Sequence, residues 1–377
     1  MRRLLIPAVA LALASCARQA DIAPVGLKDV VAGKFTIGVA VNGEQMAGRD
    51  SIGIDIIKRN FNSLESENNM KCQFIHPEKD RYDFAGADSL IAFAEANGME
   101  VIGHCLVWHS MNAPWYFVDS LGNEVSAEEL HRRMVDHITT VVSRYKGRVK
   151  GWDVCNEVIV ETGGLRNSPY SRAFGYNFIY EALELTHKLD PDAEIYINDY
   201  GMTNPGRRAG YMALIDTIRS RGLRLDAVGL QGHMGIDFPD SANAERTLCE
   251  FEKIGMPVMI TEWEMGALPT LTQSANVTVG DELPTATPET DIYRAGLPDS
   301  VSVLWNKRMR MFWDMFIRHA DNIKRVNIWG VRDGDSWKND FPVLGRKDYP
   351  LFFDREGQPK PFVKDILSEY SDKKKQQ

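Results

Sequence analysis

Apolar positions along the chain switch repeatedly between two spacings. Close or alternating apolar residues read as strands, and a repeat every three to four positions reads as a helix. The strand-like runs are KFTIGVAV (34–41), NSLESE (62–67), EVIGHCLVW (100–108) and VKGWDVCNE (149–157), followed by AEIYIND (193–199), LDAVGLQGH (225–233), PVMITEWE (257–264) and RVNIWGV (325–331). Helical patterns lie between them. SAEELHRRMVDHITTVVSRYK begins with a capping box predicted from Ser126 and Glu129. GRRAGYMALIDTIRSRG stops at a glycine. Similar repeats fall at 84–97, 171–189, 241–254, 301–320 and 360–370. Eight strands, each followed by a helix, predict a single-domain α/β protein, a (β/α)8 TIM barrel over 31–371. An open doubly wound sheet is the competing arrangement, but no GxGxxG or Walker loop opens the first unit.

Two stretches fall outside the alternation. Residues 267–299 are rich in Pro, Thr, Gly and Asp and read as a long loop after the seventh strand, on the barrel face where sites are built. At the start, MRRLLIPAVALALASC has a basic end, a short apolar core and small residues before Cys16. Residues 1–15 are therefore expected to be an export signal. Leu13-Ala14-Ser15-Cys16 resembles a bacterial lipoprotein box, which implies cleavage before Cys16 and lipid on its sulfur. The protein would then be an exported cell-envelope lipoprotein, in the periplasm or on the outer-membrane surface, touching membrane through that anchor only. A plain secretory signal is the alternative. Residues 16–30 read as a linker and 372–377 as a basic tail.

Charge and cysteines narrow the partners. The formal net charge is −8 and the only basic runs sit at the two ends, so nucleic acid is not an expected partner. A monomer is expected. Besides Cys16, the cysteines are Cys72, Cys105, Cys155 and Cys249, and none forms a CxxC pair.

Candidate chemistry gathers at the C-terminal ends of the strands. The second ends in Glu67-Asn68, the third carries His104 and Trp108-His109, and the fourth ends in Asn156-Glu157. The fifth ends in Asn198-Asp199-Tyr200, the sixth in Gln231-Gly232-His233 and the seventh in Glu262-Trp263-Glu264. The eighth carries Trp329 and runs into DGDSW, which contains Trp337. Barrel enzymes build their sites on this rim. Carboxylates mixed with amides, imidazoles and indoles suit a neutral, hydroxyl-rich ligand. Glycoside cleavage needs two carboxyl groups across such a cleft, one protonated to release the leaving oxygen and one to attack or to activate water. A separation of about 5–5.5 Å gives retention, and a wider one gives inversion.

These residues resemble glycoside hydrolase family 10 endo-β-1,4-xylanases from about Val31 to Tyr370. The resemblance rests on FNSLESENNMK, GHCLVWHS, WDVCNE, LQGH, ITE and WGVRDGDSW, in that order. It implies Glu157 as general acid/base and Glu262 as nucleophile. It implies Asn156 on the sugar 2-hydroxyl and His233 on the nucleophile, with Gln231 in the same signature. Glu67, Asn68, Lys71, His104 and Trp108 match glycone-side contacts. Trp329 and Trp337 match cleft walls, and Tyr200 matches the leaving-group side. The implied substrates are xylan and xylo-oligosaccharides, and no cofactor is implied.

Other readings compete. A cellulase or mannanase could use the same two-carboxylate plan, and a lipid-anchored xylan-binding protein could have lost catalysis. No metal is expected, since His104, Cys105 and His109 lack a fourth ligand at a fitting spacing. DGDSWKND begins like an EF-hand loop, but Lys338 and Leu344 stand where Gly and Glu belong. Glu264 stands where the family usually has aspartate in support of the histidine. One methylene longer, it is expected either to reach His233 by a shifted route or to leave it.

Overall fold

The computed structural model describes residues 25–269 and 283–375. The export signal, Cys16 and the tip of the 267–299 loop lie outside the described residues. Nine strands form one parallel sheet: β1 (Thr36–Val41), β2 (Ser63–Ser66), β3 (Glu100–Trp108), β4 (Gly151–Asn156), β5 (Glu194–Asp199), β6 (Ala227–Leu230), β7 (His233–Gly235), β8 (Val258–Gly266) and β9 (Ile323–Ile328). Each of β1 to β5 pairs with the next, β1 also pairs with β9, β9 with β8, and β8 with β6. That last pairing closes an eight-stranded barrel with helices on its outside, as predicted. The short β7 adds only to β8, pairing His233 with Glu264.

The outer core lies between strands and helices. The helix Ala127–Tyr145 buries Leu130, Met134, Ile138, Val141, Val142 and Tyr145 on one stripe. Ser126 caps it by accepting from the Glu129 amide. The reciprocal half of the predicted capping box is missing, because the Glu129 side chain binds Arg132 and Arg133 instead.

Within the barrel, side chains stack in layers, since every second strand residue points inward. Ile102, Tyr196, Ala227 and Met259 form an apolar cluster of their own. Two residues further along the strands come His104, Asn198, Gly229 and Thr261. Gly229 is required there, because a Cβ on it would stand 2.2 Å from the Asn198 amide oxygen. The layer above the apolar cluster is thus polar, and it forms the floor of the rim.

Several predicted boundaries change. The strand-like run 225–233 is two strands, because Gly232 takes a left-handed φ of 81° between them. The helix predicted over 171–189 is two helices, Pro169–Phe174 and Asn177–Leu189, divided at Gly175 with φ 57°. A helix at Ser51–Asn60, capped by Asp50, was not anticipated between the first two strands. Residues 27–30 are no linker: they form a helical turn with Leu27 fully buried. The basic tail is largely helical, since the last helix runs Pro361–Lys375. The 267–299 loop is partly anchored. Its Thr285 bridges Leu344, and Arg346 donates to the carbonyls of Pro269 and Thr290.

Candidate active site

The rim residues are aimed by irregularities in the strands. In β8 the register against β9 shifts between Ile260 and Trp263. Such a bulge re-aims side chains. Thr261 and Glu262 both reach inward here, to Asn198, while Trp263 packs outward against Phe316 and Phe352. Glu262 and Glu264 share the inner face, as period two predicts. In β4 the register against β5 shifts between Asp153 and Cys155. Glu157 then takes a left-handed backbone with φ 57°. A non-glycine residue in that region carries strain of about 1–3 kcal/mol. Two bonds hold it there: its amide donates to the Asn198 carbonyl at 2.8 Å, and its own carbonyl accepts from Arg166 Nε at 2.6 Å.

An amide bridge joins the two carboxylates. Gln231 Nε2 donates to Glu157 Oε1 at 3.2 Å and to Asn156 Oδ1 at 3.4 Å. Asn198 Nδ2 donates to that same Asn156 oxygen at 3.1 Å and to Glu262 Oε1 at 2.8 Å. Thr261 fixes the Asn198 amide by donating to its oxygen at 2.6 Å. With Oδ1 of Asn156 occupied twice, its Nδ2 is the donor left for a ligand.

Glu262 lies between two donors. His233 Nε2 is 3.0 Å from its Oε2, and His233 Nδ1 is 2.7 Å from Glu264 Oε1. Glu264 therefore does reach His233. Its Oε1 also accepts from Trp337 Nε1 at 2.8 Å. Burial alone would lower the imidazole, but hydrogen bonds to Glu262 and Glu264 raise it to about 9. Burial alone would raise the Glu262 carboxyl, but the bond and charge of His233, then His104 and Asn198, hold it below the usual range. Glu262 is thus an ionised carboxylate although it is only 4% exposed.

The remaining predicted residues gather around this pair. Lys71 Nζ donates to Asn68 and sits 5.3 Å and 5.8 Å from the rings of Trp108 and Trp329. Glu67 lies beside them; burial raises its carboxyl, and Lys71 partly offsets this. His104 meets Trp329 edge-on at 5.5 Å. Its Nδ1 lies 2.9 Å from Asp153 and 3.4 Å from Glu65, which leaves Nε2 for a ligand. Tyr200 joins through Arg166, which donates to its hydroxyl at 2.9 Å.

Asn198, Arg166 and Glu65 were not singled out from sequence. Asn198 was visible at a strand end, but Arg166 sits in a loop that only the fold brings back to Glu157. Among the described residues, three groups bring metal-binding residue types together: Cys72, His76 and His137; Cys249, Glu252 and His319; and Glu65, His104 and Asp153. In the first, the two histidine rings are parallel within 4° and face each other through Nδ1 atoms 3.3 Å apart, the geometry of a shared N–H···N bond. In the second, Glu252 and Glu245 take both imidazole nitrogens of His319.

A closed barrel carrying an ionised, buried glutamate bridged by amides to a second glutamate on its C-terminal rim defines a barrel glycosidase. Residues 26–369 match the model of glycosyl hydrolase family 10. Endo-1,4-beta-xylanase A of Xylanibacter ruminicola is 41% identical over 344 residues, covering 91% of this chain and 93% of that protein. The endo-1,4-beta-xylanase of Geobacillus stearothermophilus is 32% identical, over 89% and 96% of the two chains. Among solved structures, a GH10 endoxylanase from a sugarcane soil metagenome superposes with a TM-score of 0.84 at 34% identity, covering 92% of this chain and 99% of that one. The chain belongs to glycosyl hydrolase family 10.

Proposed function

We propose that the protein is an endo-acting, retaining β-1,4-xylanase, with Glu262 as nucleophile and Glu157 as acid/base. The observation that carries the assignment is the asymmetry between the two carboxylates. Glu262 is buried yet kept ionised by His233 and Asn198. Glu157 is half-buried and its side chain has one amide partner, Gln231. The first is prepared to attack, and the second is free to exchange a proton.

In the first step a Glu262 oxygen attacks the anomeric carbon. The glycosidic C–O bond breaks, and the Glu157 proton passes to the leaving oxygen. Asn156 Nδ2 donates to the sugar 2-hydroxyl. In the second step Glu157, now ionised, takes a proton from water, whose oxygen attacks the same carbon. The bond to Glu262 breaks, its carboxylate is regenerated, and two inversions give net retention. Glu67, Asn68, Lys71, His104 and the indoles of Trp108, Trp329 and Trp337 form the glycone side, and Tyr200 the leaving-group side. The xylanase names of the similar proteins support xylan over cellulose or mannan.

The test is a panel of xylan, carboxymethyl cellulose and mannan, read by released reducing sugar and by the anomer first formed. Oligosaccharides from xylan with the β-anomer first are expected. Binding of xylan without release would favour the non-catalytic reading. The lipid anchor at Cys16 belongs to the same proposal. Cys16→Ala should move the exported protein from the detergent phase to the aqueous phase, and an unchanged partition would remove the anchor.

A further inference from the structure

Glu264 holds more than an imidazole. All its contacts converge on one oxygen: Oε1 accepts from His233 Nδ1 at 2.7 Å and from Trp337 Nε1 at 2.8 Å, and Lys338 Nζ stands 3.5 Å away. Its Oε2 is buried without a hydrogen-bond partner among the described residues. The Trp337 ring is half-buried on the rim, edge-on to His233 at 5.5 Å and tilted against Phe341 at 5.3 Å. Ring packing alone leaves an indole free to rock. A charge-assisted N–H···O bond to a buried carboxylate fixes it.

We propose that Glu264 is a shared positioning residue. Through one oxygen it sets both the imidazole that holds Glu262 and the plane of the Trp337 indole, so the attacking carboxylate and the wall beside the sugar are oriented as one unit. This rests on the cleft assigned under Proposed function. Two donors on one oxygen divide its charge between them. Removing the indole N–H leaves the carboxylate to face His233 with that charge undivided, which favours the imidazolium. Removing the anion loosens both partners together.

The experiment is steady-state kinetics on xylohexaose with the wild type, Trp337→Phe, Glu264→Gln and the double variant, each across pH and each checked by thermal melting. Trp337→Phe keeps an aromatic ring and removes only the N–H and the second ring. Its KM should rise about three- to tenfold, the loss of one hydrogen bond, with a smaller change in kcat. The His233 imidazole, followed by NMR across pH, should keep its proton to higher pH. In the double variant KM should match that of Glu264→Gln alone, because both substitutions break the same unit. A KM within twofold of wild type overturns the proposal. So do KM increases that multiply in the double variant, or a His233 titration that stays in place, since Trp337 would then be a simple wall. A wild type that releases no oligosaccharide overturns the functional reading instead. The tether is then read from calorimetric binding of xylohexaose to the same four proteins, with the same non-additivity required.

Discussion

On the inner face of the barrel two histidines each meet two carboxylates, and they behave differently. His233 sits at the rim with its side chain 23% exposed, between Glu262 and Glu264. His104 sits one layer down, fully buried, between Glu65 and Asp153. At the rim, donors outnumber what burial can undo. Asn198, Trp337 and Lys338 add to the imidazole, and Glu262 stays ionised. In the floor, burial wins. It raises the Glu65 carboxyl well above its ordinary value, with Asp153 and Glu262 adding to the effect, and it raises Asp153 as well. Among the described residues, Asn327 is the only side-chain amide bonded to the Glu65 carboxyl, and Glu65 Oε1 and Asp153 Oδ1 have no hydrogen-bond partner. The same residue types thus make a charged site or a proton-holding one, and the count of donors decides which.

The largest expected effect breaks the rim cluster at its centre. Glu262→Ala should lower turnover of xylan by about four orders of magnitude or more, while xylan binding stays measurable in a pull-down. Next, Glu264→Gln should lower kcat by roughly 10- to 100-fold, as loss of an outer support does. It should also move the His233 titration, followed by NMR. His233 is raised to about 9 by its two carboxylates, so in the wild type it loses its proton only as pH rises through that value. With one carboxylate gone, the loss comes at lower pH. An unchanged rate and an unchanged His233 titration would show that Glu264 supports nothing.

The floor should respond in stability and not in rate. A carboxyl raised by burial keeps its proton in the folded chain while the unfolded chain has lost it. Its contribution is fully present below the unfolded value and fades as pH rises toward the folded one. Glu65→Gln, neutral in both states, lacks this slope. The melting temperature of the variant minus that of wild type should therefore grow between pH 5 and pH 8. A constant difference would mean that Glu65 is charged in the fold. Glu65→Ala should instead cost about 1–3 kcal/mol in denaturant melts, because Asn327 loses an acceptor in a buried layer. The smallest effect belongs to Tyr200→Phe. It removes the hydroxyl that accepts from Arg166, whose Nε still holds the Glu157 carbonyl. A two- to threefold change in kcat/KM is expected, about half a kcal/mol.

The contrast also explains what could be read from sequence. Strand order and the rim were legible because polar residues at strand ends stand out against apolar runs. Glu262 and Glu264 shared a face by period alone. Glu65 was hidden, since alternation in NSLESE does not say whether the polar side faces water or a buried polar layer. Arg166 was hidden because its link to Glu157 depends on how the loop after β4 returns. The helix Ser51–Asn60 was masked by Gly53 in its first turn, where an added Cβ would stand 2.2 Å from Oδ2 of the capping Asp50. The break at Gly232 depends on a backbone angle that a glycine permits without announcing it.

The central claim is that Glu262 forms a covalent bond to the sugar while Glu157 carries the proton. Its most direct test is trapping with an activated 2-deoxy-2-fluoro-xylobioside, which slows release of the intermediate, followed by proteolysis and mass spectrometry of the labelled peptide. The label should sit on Glu262 and be absent from Glu262→Ala. A label on Glu157, or turnover of xylan with inversion and no label, would contradict the account.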